Sequence, residues 1–134
     1  MAKTDVSYGY TRALAGVSFE EAVRRVTEAL KAEGFGVLTT IDVKETLKQK
    51  IGVDFRRYVI LGACNPQLAH RALGLELGVG LLLPCNVTVF EDDEGRMVVQ
   101  MVKPASMLEV VKRPELDPIA READVRLSRA LAAV

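Results

Sequence analysis

Residues 80–103 read GLLLPCNVTVFEDDEGRMVVQMVK, and they decide the fold. Two apolar, β-branched arms flank Asp92-Asp93-Glu94-Gly95, a polar turn ending in the residue that takes up positive φ most freely, which is the pattern of a β-hairpin. Arms 80–91 and 96–103 are therefore expected as neighbouring antiparallel strands. Pro84 cannot donate a ladder hydrogen bond, so the first arm should be bulged or broken there, or lie at a sheet edge. The three adjacent carboxylates read as a solvated turn, because the spacing of a calcium loop is absent.

The segments before the hairpin alternate between strand and helix. Residues 55–63 (FRRYVILGA) are aromatic and β-branched, and their uncharged end suits a central strand covered on both faces. Adjacent Arg56 and Arg57 should point to opposite sides of an extended chain, which rules out a joint clamp. Asn65-Pro66 reads as an N-cap followed by the first helical position, with Leu68, Ala69, Ala72 and Leu73 on the helix that follows. Upstream, residues 36–41 (GVLTTI) form a short strand, and Asp42 caps a helix whose narrow stripe of Val43, Leu47 and Ile51 stops at Gly52. Ser18 and Glu21 fit a capping box for a helix over 19–33, with Phe19, Ala22, Val23, Val26, Ala29 and Leu30 at helical spacing. Gly34 ends it; Gly34-Phe35-Gly36 leads from helix to strand, the reverse of a phosphate-binding loop. A first strand is expected over 6–14.

Beyond the hairpin, residues 105–111 make a turn or two of helix. Asp117-Pro118 then repeats the cap-plus-proline start of a terminal helix over 118–134, with Ile119, Ala123, Leu127, Ala130, Leu131 and Val134 on one face. Two long one-sided helices require an apolar sheet face to cover, so the expected fold class is α+β: a mostly antiparallel sheet of four or five strands, with helices mainly on one face.

The chain has 134 residues, is 49% hydrophobic and carries 27% charged residues. That is enough apolar material for one core, and residues 1–134 are expected to form a single domain. Eighteen Lys and Arg balance eighteen Asp and Glu; with no basic field, no nucleic-acid partner is expected. The longest apolar run is far shorter than a membrane span, and Met1-Ala2-Lys3-Thr4-Asp5 opens no secretory core, so the expectation is a cytoplasmic protein with no membrane partner. Two cysteines do not make a disulfide scaffold, and with one histidine, His70, no zinc-finger spacing exists. No metal and no cofactor are expected.

Three stretches carry a resemblance. Gly34-Phe35-Gly36-Val37-Leu38-Thr39, Leu61-Gly62-Ala63-Cys64-Asn65-Pro66 and Leu83-Pro84-Cys85-Asn86-Val87 resemble the prokaryotic domain-of-unknown-function 302 family, and the likeness runs from about Ser18 to the C-terminus. It implies an α+β fold similar in outline to the TATA-binding-protein-like architecture, and homodimers. No activity is implied, because a fold does not confer one.

Cysteine-asparagine occurs twice, as Cys64-Asn65 and Cys85-Asn86, each after an apolar segment. The two dipeptides are expected to lie close together, and Cys64, Asn65, Cys85 and Asn86 are the candidate ligand-binding residues. Catalytic residues are not legible, since no nucleophile, base and orienting acid can be matched. Two readings follow. In one, the protein is a small-molecule-binding or interaction protein, homodimeric, and its cysteines are small apolar residues. In the other it is a thiol-dependent redox or small-molecule enzyme: Cys64, just outside the positive end of a helix, would become a reactive thiolate with Cys85 as its resolving partner. An open cleft at Cys64 would favour the second reading and apolar burial of the sulfurs the first.

Overall fold

The computed structural model describes residues 5–134; residues 1–4, on which the expectation of no secretory core rests, lie outside them. Five strands form one antiparallel sheet: β1 (Gly9–Leu14), β2 (Gly36–Asp42), β3 (Tyr58–Cys64), β4 (Cys85–Glu91) and β5 (Met97–Val102), in the spatial order β1-β5-β4-β3-β2. Helices α1 (Phe19–Ala32), α2 (Val43–Ile51) and α3 (Pro66–Leu75) follow β1, β2 and β3 in turn, and α4 (Pro104–Leu108) and α5 (Asp117–Ala133) follow the β4–β5 hairpin. The sheet is antiparallel throughout, and this is the α+β class expected from the sequence.

Local chemistry sets the boundaries. The Ser18 hydroxyl accepts from the Glu21 N–H, and Asp42 and Asn65 accept in the same way from Glu45 and Leu68, each satisfying a backbone donor that the first helical turn leaves free. Glu21 does not reach back to close the box; its carboxylate is held by Arg24 and Arg25. The terminal helix begins one residue earlier than expected, and Asp117 is its first residue rather than its cap.

Pro84 divides the first hairpin arm. Residues Leu77–Leu82 form a 3₁₀ turn, the Leu83-Pro84 peptide is cis, and the strand starts only at Cys85. It is not an edge strand, because β4 lies between β3 and β5. The proline stands just before the first residue of the ladder and so removes no ladder donor.

Alternation along the strands sorts the two faces. Leu61, Ala63, Cys85, Val87, Val89, Val99 and Met101 share the face turned to α1 and α5, whose Val26, Leu30, Leu127 and Ala130 complete the core. The other face carries Ile60, Asn86, Thr88, Phe90 and Gln100. There Tyr58 stacks on Phe90 with ring centroids 5.1 Å apart. Arg56 and Arg57 diverge as adjacent residues of an extended chain must: Arg56 reaches Glu91 O and Asp93, and Arg57 pairs with Glu20. Arg57 also lies 4.4 Å from the Phe19 ring centre, tying the start of α1 to the start of β3.

The hairpin turn departs from the expectation of a wholly solvated loop. Asp92 is buried, and its Oδ1 accepts from the N–H groups of Glu94 and Arg96 while Oδ2 accepts from the Arg96 guanidinium. Burial pulls its pKa upward, but these donors outweigh that and hold it below the usual carboxylate range, since hydrogen bonds to the charged form favour ionisation.

Candidate functional site

The pairing of β3 with β4 brings the two Cys-Asn dipeptides together. Ala63 pairs with Cys85 and Gly62 with Asn86, so Cys64 flanks the residue opposite Cys85. Around this end of the sheet, α3, α4 and α5 converge on an apolar cavity of about 40 Å³, lined by Ala63, Cys64, Asn65, Cys85, Met107 and Ile119 among others. Three of the four candidate residues therefore share one cavity. Asn86 does not: alternation turns it to the opposite face, where it is exposed and borders a shallow depression with Tyr58 and Thr88. Period-two alternation along residues 85–86 already implied that separation.

Two close approaches fix the site's frame. Gly62 has no room for a side chain, because a Cβ there would run into Thr39 Oγ1 and come within 2.9 Å of the Pro84 ring. Gly34, at φ +82°, ends α1 against the Asn65 amide, with Asn65 Nδ2 2.9 Å from where a Cβ would stand. Both glycines belong to stretches on which the family resemblance rests.

Both cysteines are free thiols; Cys85 is buried and Cys64 half-buried. Burial pushes the Cys64 thiol above its ordinary pKa, and pushes Cys85 up to about 11, with the neighbouring Cys64 and the carboxylate of Asp124 adding to the effect. This weighs against the alternative reading, in which the start of α3 makes Cys64 a reactive thiolate. Loss of water around the sulfur disfavours the anion. None of the cavity's lining side chains is acidic or basic, and His70 is exposed and does not line it. Two protonated sulfurs without a base suit apolar contact rather than nucleophilic attack.

Volume limits what can enter. A cavity of about 40 Å³ exceeds the ~10–15 Å³ that one water needs, but a water also needs two or more polar partners, and the Asn65 carbonyl oxygen is already engaged by the Leu68 N–H. Sites for drug-sized ligands run from ~300 Å³ upward. The cavity therefore accommodates a small apolar group and no more. Met107 and Ile119, which close it, were not identified from the sequence as site residues; their only signal is their place on apolar helical faces. Among the described residues, no group of three or more His, Cys, Asp or Glu is placed to hold a metal ion, and no helix is long and apolar enough to cross a membrane.

Residues 10–134 match the family described as Domain of unknown function DUF302. The crystal structure of an uncharacterised conserved DUF302 protein from Bacillus stearothermophilus is similar to this chain, with a TM-score of 0.87 at 37% identity over 96% of this chain and 98% of that one. None of the curated proteins matches the sequence.

Proposed function

The chain belongs to the DUF302 family, and on that premise we propose that it works by binding rather than by catalysis, as a homodimeric single-domain protein of the cytoplasm. One observation carries the reading: an apolar cavity joins two protonated thiols with no acidic or basic side chain on its wall. Cys64, Asn65 and Cys85 receive the apolar tip of a small ligand, whose remainder rests outside the cavity, over the half-buried Cys64. Balanced charge supports a neutral ligand or a protein partner over nucleic acid.

Xenon, a one-atom apolar probe known to enter dry cavities, tests this directly. Under xenon pressure the methyl NMR signals of Met107, Leu68 and Ala63, which line the cavity, should shift saturably, while Val98 on the far face should not move. Lining methyls that stay unmoved, or that shift no more than Val98, would overturn the binding reading.

A further inference from the structure

From residue 36 to residue 57 no residue is buried. This run holds all of β2 and α2, and five of the ten large hydrophobic residues exposed on the described chain: Leu38, Ile41, Ile51, Val53 and Phe55. Leu38 is 67% exposed and Ile51 66%. A helix of α2's length is marginal in water unless its apolar stripe is covered, and an exposed apolar patch of this kind marks an interaction surface. Resting on the homodimer reading above, we propose that the β2–α2 arm is the dimer interface, with β2 pairing antiparallel to β2 of a second copy across a two-fold axis.

Three features select a second copy. First, β2 is an edge strand with a row of N–H and C=O groups turned away from β3, which only another extended chain can satisfy as a ladder. Second, residues 36–41 contain no charge and no proline. Antiparallel pairing with itself sets the residue at the two-fold axis opposite its own copy, where a like charge would repel, so an uncharged stretch is a composition that self-pairing tolerates. Third, α2 is complementary to itself. Asp42, Lys44 and Glu45 give its start a net negative charge, and Lys48, which pairs with Asp54, and Lys50 stand in its last turn. Where α2 lies across the two-fold axis, the axis that makes the strands antiparallel also reverses the second α2, and the net acidic start of each is turned towards the basic end of the other. The register irregularity between Val37 and Thr39 confines regular pairing to the second half of β2 and sets Leu38 out as an apolar knob. It also opposes slippage of an otherwise uniform edge.

Thr40 is exposed in the middle of this edge, so Thr40→Lys and Thr40→Glu leave the core untouched. Sedimentation equilibrium should give the wild type twice the 14.6 kDa chain mass, each variant alone the single-chain mass with an unchanged far-UV spectrum, and the equimolar mixture the doubled mass again. A wild type that stays at the single-chain mass would overturn the homodimer reading and this interface with it. A wild-type dimer that both variants preserve would overturn only the β2 interface. Variants that fail to fold are replaced by Ile41→Lys and Ile41→Glu, read in the same way.

Discussion

The sheet has two edges, β1 and β2, and the molecule treats them oppositely. β1 is guarded: Leu14 is buried, Arg12 donates from Nη1 to the Leu131 and Ala132 carbonyls at the end of α5, and the Tyr10 hydroxyl donates to Asp124. That places a charged side chain and a helix over the edge, two of the usual ways to stop a strand from recruiting another. β2 has neither. The difference teaches that burial in this chain is concentrated on the side where α1 and α5 cover the sheet, while no residue of the regularly built β2–α2 arm is buried.

The largest contrast should appear when one residue is truncated on each side. Leu127 on α5 is fully buried, and Leu127→Ala should lower unfolding stability by about 2–5 kcal/mol, read from urea midpoints at constant slope. Leu38→Ala in the exposed arm should stay within about 0.5 kcal/mol in dilute solution, as surface substitutions do. Equal losses at the two sites would erase the distinction. Gly62→Ala comes next, at about 1–3 kcal/mol, because the added Cβ strikes Thr39 and the Pro84 ring; pairing it with Thr39→Gly should recover part of the loss, which thermal midpoints of the three variants can check. Arg12→Ala removes the guard of β1 and should cost about 1.5 kcal/mol, with faster amide exchange at the end of α5.

Several of these features can be traced to single residues in the sequence. Ser18, Asp42 and Asn65 announced three helix starts because a short polar side chain before an apolar stripe satisfies a free N–H in only one way. Pro84 announced the break in its strand. That β2 lies at an edge was not legible: GVLTTI reads like any buried strand, and strand order depends on which segments pair, information spread over β3, β4 and β5. Proximity of Cys64 to Cys85 was legible from one strand following another, but the state of the thiols was not, because it depends on desolvation by α3, α4 and α5. Asp92 misled for the same reason. A carboxylate in a turn looks solvated until the backbone donors folded around it are known.

Two smaller effects concern ionisation. With its pKa near 11, Cys85 is about one part in ten thousand thiolate at pH 7, so iodoacetamide should modify it only after denaturation, while Cys64 reacts slowly in the native protein; rapid native labelling of either would revive the thiol-enzyme reading. Asp92 has a lowered native pKa, so its contribution to stability is complete above the unfolded value of about 3.9 and is lost as pH falls through the native one. Asp92→Asn should flatten the acid limb of the stability profile over that window, and an unchanged limb would count against the turn's role.

The claim that β2 is an interface rather than a bare edge is tested most directly by amide hydrogen exchange as a function of protein concentration. Outward-facing N–H groups between Thr39 and Asp42 should exchange at solvent rates when the protein is dilute and become protected as concentration rises, in step with the doubling of mass, while the amides of β1 keep the same rates throughout. Exchange at β2 that is fast and independent of concentration in a dimeric protein would contradict the account.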